Sequence, residues 1–160
     1  MVRVAVLTIS DAGARGERAD GSGDAIVSWA EGRGYAIERR ALVPDDSVAI
    51  VRQLLAWCDG DGADLVLTTG GTGLSARDNT PEATRAVLER EADGIAERIR
   101  VACIDAFPRA ALSRGVAGSR HRTLIVNLPG SPGGVRDALA ALVPIVDHAV
   151  AIVRGERTDH

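Results

Sequence analysis

A glycine-rich segment between an apolar run and a helix start constrains this chain more than any other feature of its sequence. The apolar run, residues 63–67 (ADLVL), predicts a buried strand. The segment that follows contains Gly70, Gly71 and Gly73, and it leads into Thr80-Pro81-Glu82. A threonine cap, a proline in the first turn and an acidic residue at the positive end of the helix dipole together predict a helix start. The segment therefore predicts a strand, a glycine-rich turn and a helix in direct succession.

Such a turn suits a phosphate ligand, because glycines let backbone N–H groups approach an anion without side chains in the way. A Cβ at Gly71 or Gly73 should then weaken ligand binding more than it weakens folding. Arg77 adds a cation for phosphate oxygens, and Asp78 adds a carboxylate for a hard metal ion such as Mg²⁺. The segment is neither a Walker A loop, since all 19 basic residues are arginine, nor a G-x-G-x-x-G fingerprint. Glycine-rich turns without a ligand are also common, so both interpretations stay open at this point.

Composition narrows the classes of protein that fit. A length of 160 residues predicts a single domain, residues 1–160, with a sizeable core and a frayed tail at residues 155–160. Only 2% of the residues are aromatic and the net charge is −3, which argues against a nucleic-acid partner. The sequence enters a strand at once and has no apolar stretch of transmembrane length, so we expect a cytoplasmic protein without membrane contact.

The placement of the cysteine and histidine residues argues against a structural zinc site. Cys58 and Cys103 lie far apart, and His121, His148 and His160 show no ligand spacing. Both cysteines are therefore expected to act as small buried apolar residues.

The order of predicted elements indicates a parallel sheet covered by helices on both faces. Ligands of such sheets bind beyond the carboxyl ends of the strands, so Ser10-Asp11, Pro44-Asp45-Asp46 and residues 70–80 should gather at one edge. Residues 10–23 form a long polar loop, and residues 110–119 stay ambiguous between helix, strand and irregular structure. The predicted strands are Arg3–Ile9, 35–43, 63–67 and Thr123–Leu128. The predicted helices are 25–32, a helix capped by Asp46 or Ser47 and broken at Asp59-Gly60, 81–91, 95–107 and 135–153, the last with a kink at Pro144.

Several spaced motifs resemble one family, the molybdenum-cofactor biosynthesis domain of the MogA/MoaB type. The resemblance covers nearly the whole chain, with two departures from the usual pattern at Asn79 and Gly133-Gly134. The motifs are Leu7-Thr8-Ile9-Ser10-Asp11, Asp20-Gly21-Ser22-Gly23, Val43-Pro44-Asp45-Asp46, Gly70-Gly71-Thr72-Gly73, Arg77-Asp78, Thr80-Pro81-Glu82-Ala83-Thr84, Leu112-Ser113-Arg114 and Asn127-Leu128-Pro129-Gly130-Ser131-Pro132.

This resemblance implies a fold and a reaction. The fold is a three-layer α/β/α sandwich with a mostly parallel sheet, often assembled as a homotrimer. The reaction is the adenylylation of the molybdopterin phosphate by Mg²⁺-ATP, with release of pyrophosphate, which prepares the pterin for metal insertion. A metal-insertion enzyme is therefore a candidate partner. Asp45 and Asp78 fall on the catalytic, Mg²⁺-organising positions. The substrate-binding positions for ATP and molybdopterin are Ser10, Asp11, Ser22, Gly23, Gly70, Gly71, Thr72, Gly73, Arg77, Thr80, Ser113, Pro129, Gly130 and Ser131.

Alternatives remain for individual residues and for the whole chain. Asp45 also suits a turn or cap, Asp78 a cap beside Thr80, and Ser131 a cap for the last helix. A MoaB-type relative could bind the pterin or nucleotide with little catalysis, and a non-catalytic scaffold protein could hand the pterin between enzymes.

Overall fold

The protein is built on one mixed sheet of six strands, as the computed structural model of residues 1–156 shows. The strand order is β2-β1-β3-β6-β5-β4. Strands β2, β1, β3 and β6 run parallel, whereas β5 is antiparallel to β6 and β4 is antiparallel to β5. The elements are β1 (Arg3–Ile9), α1 (Asp11–Ala14), α2 (Gly21–Gly32), β2 (Ala36–Val43), α3 (Ser47–Asp59), β3 (Leu65–Thr69), α4 (Thr80–Val87), β4 (Arg90–Glu91), α5 (Asp93–Ile104), a 3-10 helix (Pro108–Leu112), β5 (Ala117–Arg120), β6 (Thr123–Leu128), α6 (Pro132–Leu142) and α7 (Val146–Val153).

Helices cover both faces of this sheet, which confirms the predicted three-layer α/β/α sandwich. Alternate residues of β1 enter opposite layers, with Val4 and Val6 on one face and Ala5 and Leu7 on the other. The first face packs against α2, α5, α6 and α7, and the second packs against α3 and α4. Both cores are mostly aliphatic, with Trp57 of α3 buried in the second, and the central strands β1, β3 and β6 are buried on both faces.

The sheet has a topological switch point between β1 and β3. The chain passes from β1 outward to β2, and then returns to the opposite side of β1 to form β3. The crossovers carry α2 to one face and α3 to the other, so the loops after β1 and β3 diverge and leave a crevice. In open α/β sheets such a crevice is the usual place for a ligand.

Most predicted elements are confirmed, and β1 and β6 have the predicted bounds. The predicted long loop at residues 10–23 is partly wrong. It contains α1 and the first residues of α2, which begins at Gly21 because Asp20 accepts a hydrogen bond from the Gly23 N–H. Asp46, one of the two predicted caps of α3, accepts from the Ala49 N–H.

Several further boundaries differ from prediction, among them those of β3, which covers residues 65–69 instead of 63–67, and of α5, which covers 93–104 instead of 95–107. The helix predicted over residues 81–91 ends at Val87, because residues 90 and 91 form the edge strand β4 against β5. The ambiguous residues 110–119 divide between the 3-10 helix and β5. At Pro144 the predicted kink is a complete break between α6 and α7. Of the predicted frayed tail, residues 157–160 lie outside the described residues.

Within residues 1–156, no helix combines the length and apolar character needed to cross a membrane.

Candidate functional site

The glycine-rich turn is held in a left-handed backbone conformation that favours glycine. Gly70 has φ of +99° and Gly71 has φ of +68°. Thr80 is fully buried beneath the turn, where its hydroxyl donates to the Gly70 carbonyl at 2.9 Å and its N–H donates to the Gly71 carbonyl at 3.1 Å. The prediction that Thr80 caps α4 is therefore wrong. Asn79 occupies the cap position without a side-chain bond, and Thr80 locks the turn instead.

The loops after β1 and β2 meet through a reciprocal pair of hydrogen bonds, as the sheet-edge argument predicted. The Asp11 N–H donates to Asp45 Oδ2 at 2.9 Å, and the Asp45 N–H donates to Asp11 Oδ1 at 3.0 Å. Asp45 Oδ1 lies 3.1 Å from the position that a Cβ on Gly71 would occupy, so the third loop reaches the same point. The helix-cap interpretation of Asp45 is not supported, since Asp46 caps α3.

Arg77 reaches from the glycine-rich loop to the hydrogen-bonded pair of Asp11 and Asp45. Its Nε and Nη2 atoms donate to the Asp11 carboxylate at distances between 2.8 and 3.0 Å. This guanidinium, followed by the Asp45 N–H, lowers the pKa of Asp11 below its ordinary value. Phosphate binding by Arg77 stays a prediction. It would require the guanidinium either to release the Asp11 carboxylate or to bind that carboxylate and the phosphate together.

Burial raises the pKa of Asp45, although the N–H of Asp11 works in the opposite direction. The neighbouring Asp11 and Asp78 carboxylates add to the increase, because each repels a second negative charge nearby. Asp45 is thus a carboxylate whose ionised form is disfavoured by its surroundings. A cation bound at this point would relieve that repulsion.

Asp78 closes the tip of the glycine-rich loop. Its Oδ2 accepts from the Ser75 N–H at 2.9 Å, and its N–H donates to the Ser75 carbonyl at 2.9 Å. The same Oδ2 lies 2.8 Å from where a Cβ on Gly73 would stand, so only glycine leaves room for this carboxylate. Asp78 is therefore aimed by a turn within the loop, rather than acting as the cap of α4.

Two cavities flank this loop and share a wall. The first, about 420 Å³, lies beside α5 and the 3-10 helix. The second, about 600 Å³, lies in the crevice between β1 and β3. Four residues line both cavities, and they form what we call the shared wall: Gly71, Asp78, Gly130 and Ser131.

Most of the predicted site residues line one of these cavities. Four of them line neither cavity: Asp11, Gly23, Arg77 and Thr80. Outside the shared wall, the first cavity is lined by Thr72, Gly73, Ser113 and Pro129, and the second is lined by Ser10, Ser22, Asp45 and Gly70.

Hydroxyl groups tie the walls of the cavities together. Ser22 donates to the Gly130 carbonyl at 2.8 Å, which joins α2 to the loop after β6. Thr69 donates to the Pro129 carbonyl at 2.6 Å, which joins β3 to the same loop. Ser131 accepts from the Gly134 N–H at 3.1 Å, so its predicted alternative as a helix cap is confirmed while it also faces both cavities.

Sequence reasoning missed the arginines around the site. Arg18 lines the second cavity, and Arg100 and Arg109 line the first. Arg114 holds the glycine-rich loop from outside both cavities, by donating to the carbonyl oxygens of Gly73 and Asp78. Arg114 belonged to a quoted motif, but no pattern in the sequence indicated its contacts, which span 36 and 41 positions.

The carboxylates of Asp45 and Asp78 fit part of a Mg²⁺ site. In each of them, Oδ1 accepts no hydrogen bond from residues 1–156, and both side chains line the second cavity. No group of three or more His, Cys, Asp or Glu side chains that could hold a metal ion occurs among the same residues. Mg²⁺ commonly takes one or two carboxylates and completes its shell with phosphate oxygens and water, so this donor set fits an ion that arrives with a nucleotide.

Comparison with known proteins agrees with this architecture. Residues 5–148 match the family profile "Probable molybdopterin binding domain". The molybdopterin adenylyltransferase of Helicobacter pylori (strain J99) is 38% identical over 156 residues, which cover 96% of this chain and 89% of the relative. The crystal structure of the molybdopterin biosynthesis enzyme MoaB from Thermus thermophilus superposes with a TM-score of 0.92 at 51% identity, covering 97% and 98% of the two chains.

A second solved structure, the molybdopterin biosynthesis Mog protein of Mycobacterium ulcerans, gives a TM-score of 0.90 at 40% identity and covers 96% and 99% of the two chains. The family profile spans most of this chain, and the relatives align over nearly their whole length. The resemblance predicted from the motifs is confirmed. The chain belongs to the molybdopterin-binding domain family of molybdenum cofactor biosynthesis.

Proposed function

We propose that this protein is a molybdopterin adenylyltransferase, which moves the adenylyl group of ATP onto the phosphate of molybdopterin. The observation that carries the proposal is the pair of cavities joined by one wall. A transfer between two large substrates needs a binding site for each of them and a single place where their reacting groups meet. The name and the 38% identity of the relative from Helicobacter pylori support the same reaction.

The proposed reaction forms one bond and breaks one. A terminal phosphate oxygen of molybdopterin attacks the α-phosphorus of ATP, and the bond from that phosphorus to the bridging oxygen of the β-phosphate breaks. Pyrophosphate leaves with the electron pair. A phosphate monoester has its second pKa near 6, so the attacking oxygen is already ionised at neutral pH and needs no general base. The carboxylates of Asp45 and Asp78 are thus assigned to organising charge rather than to removing a proton.

Backbone donors of the turn supply charge stabilisation. The N–H groups of Gly71, Thr72 and Gly73 donate to no oxygen within residues 1–156. All three residues line at least one cavity, with Gly71 in the shared wall. Fixed N–H dipoles that face a site where negative charge accumulates lower the barrier without reorganising during the reaction.

Asp45 and Asp78 are the residues proposed to hold Mg²⁺. When bound, the ion would neutralise phosphate charge and help pyrophosphate to leave. The raised pKa of Asp45 agrees with a site that lacks one positive charge before the nucleotide arrives. We also propose, on the family resemblance, a homotrimer of single-domain chains acting in the cytoplasm upstream of a metal-insertion enzyme.

The test is pyrophosphate release by the purified protein with ATP, Mg²⁺ and molybdopterin. We expect release only when all three are present, and none with an ATP analogue whose α,β-bridging oxygen is replaced by a methylene group. A MoaB-type binding protein would bind the pterin or nucleotide without releasing pyrophosphate. A scaffold protein would bind molybdopterin with no effect of ATP, and either result would overturn the proposal.

A further inference from the structure

We propose that Arg114 is a positioning residue, which sets the geometry of the glycine-rich loop and so aims Asp78 at the shared wall. This inference rests on the proposed adenylyl transfer, because it assigns Asp78 to that reaction. Arg114 follows the 3-10 helix, on a segment that leads into β5, and it reaches across to the loop between β3 and α4.

Arg114 clamps the loop at both ends. Its Nε donates to the Gly73 carbonyl at 2.7 Å, and its Nη2 donates to the Asp78 carbonyl at 2.8 Å. Its own N–H donates to the Thr72 carbonyl at 2.8 Å. The guanidinium therefore fixes the distance between residues 73 and 78, which bracket the exposed tip of the loop.

The orientation of the clamp is itself fixed. Nη1 of Arg114 pairs with the carboxylate of Glu82, which lies in the first turn of α4. A planar guanidinium presents its donors in a rigid fork, so one anchored edge determines where the other N–H groups point. The loop is thereby tied to the helix that follows it, through a side chain from a different part of the chain.

Arg114 acts from outside the site. It lines neither the first nor the second cavity, whereas Asp78 lines both. Its guanidinium is thus placed to support the residue that faces substrate, and it is not itself in contact with either cavity. A misplacement of about 1 Å in a reacting constellation can lower the rate about a hundredfold, so this indirect role has measurable consequences.

Arg120 offers a matched control for the general effect of removing an arginine clamp. It also binds a carboxylate, Asp59, at 2.7 and 3.1 Å, and a backbone carbonyl, that of Val87, at 3.0 Å. Its side chain is 22% exposed, compared with 32% for Arg114. Arg120 lines neither cavity, so its loss should affect stability alone.

The experiment compares Arg114→Gln, Arg114→Lys and Arg120→Gln by unfolding, by kcat and KM for ATP, and by the Mg²⁺ concentration that gives half-maximal rate. We expect Arg114→Gln to lower kcat by about tenfold to about a hundredfold and to raise the Mg²⁺ requirement. Arg114→Lys should recover only part of the rate, because an ammonium cannot reproduce the fork. Arg120→Gln should keep wild-type kcat and Mg²⁺ requirement.

Two kinetic results would overturn the inference. One is wild-type kcat and Mg²⁺ requirement in a folded Arg114→Gln or Arg114→Lys protein, and the other is an equal loss in Arg114→Gln and Arg120→Gln. Calorimetric titration with Mg²⁺ and ATP distinguishes failure of the positioning role of Arg114 from failure of the proposed adenylyl transfer. If the wild type releases no pyrophosphate, Arg114→Gln should still weaken Mg²⁺-ATP binding relative to Arg120→Gln, and equal binding would refute the positioning role.

Discussion

Replacing Gly71 with alanine should destabilise the protein more than a backbone argument alone predicts. Gly71 has φ of +68°, and Gly34, at the end of α2, has φ of +75°. A Cβ on Gly34 would have no neighbour within 4 Å, whereas a Cβ on Gly71 would lie 2.2 Å from Thr80 Oγ1. Gly34→Ala therefore measures the left-handed backbone alone, and Gly71→Ala adds the collision with a buried threonine.

The two magnitudes can be worked from these contacts. A left-handed alanine costs about 1–2 kcal/mol, and the lower entropy of the unfolded chain offsets about 0.4–1 kcal/mol of that. By the same two effects, Gly34→Ala should lose about 1 kcal/mol of unfolding free energy. In Gly71→Ala the Thr80 hydroxyl must move away from the Gly70 carbonyl, which leaves buried polar groups unpaired at a further cost of about 1–3 kcal/mol. The total for Gly71→Ala is then about 2–4 kcal/mol.

Equilibrium unfolding in urea, at a common m-value, gives both quantities. Equal losses for Gly71→Ala and Gly34→Ala would refute the reasoning, since the Thr80 contact would then contribute nothing. The expectation from the sequence, that a Cβ at Gly71 affects ligand binding more than folding, already conflicts with this geometry. The turn needs glycine for its own construction, before any phosphate binds.

The remaining predictions concern the two carboxylates. Asp45→Asn should raise the unfolding free energy at pH 7 while turnover falls, because burial raises the Asp45 pKa and makes its ionised form unfavourable in the fold. Ionised Asp45 destabilises the fold fully only above its folded-state pKa. The gain in unfolding free energy of Asp45→Asn should therefore shrink as the pH falls through that pKa towards the ordinary value of 3.8, and a gain that grows towards acid would contradict this. If Asp45→Asn and Asp78→Asn each add about 3 kcal/mol to the barrier, independent sites give about 6 kcal/mol in the double variant. A shared Mg²⁺ site should give clearly less, and simple additivity in pyrophosphate release would argue against sharing.

Much of the architecture could be predicted because it depends on local pattern. The aliphatic runs of β1 and β6 are bounded by polar or glycine-rich residues, so hydrophobicity alone locates them. The parallel direction of β1, β2 and β3 follows from their alternation with helices, and the carboxyl-edge rule then brings Asp11 and Asp45 together. The edge strand β4 was missed, because two exposed residues carry no periodic signal.

The contacts that shape the site could not be predicted from pattern in the same way. Thr80 has the residue type and the sequence position of a helix cap. Only the structure shows that its hydroxyl donates to the Gly70 carbonyl and so binds the turn. Arg77 suits a phosphate by charge, yet a nearby carboxylate, Asp11, takes its guanidinium. Arg114 is far from the loop in sequence and acts through backbone carbonyls, which carry no residue identity. Such pairings depend on which loops the sheet brings side by side.

The most direct test of the account is pyrophosphate release by the wild type and by Asp78→Asn, with ATP, Mg²⁺ and molybdopterin present. Asparagine can still accept the Ser75 N–H that Asp78 Oδ2 now accepts at 2.9 Å, so the loop should keep its shape. We predict magnesium-dependent release by the wild type and a rate about a hundredfold lower in Asp78→Asn, equivalent to ~3 kcal/mol of barrier, with nearly unchanged unfolding free energy. A wild type that binds both substrates without releasing pyrophosphate, or an Asp78→Asn protein as fast as the wild type, would contradict the account.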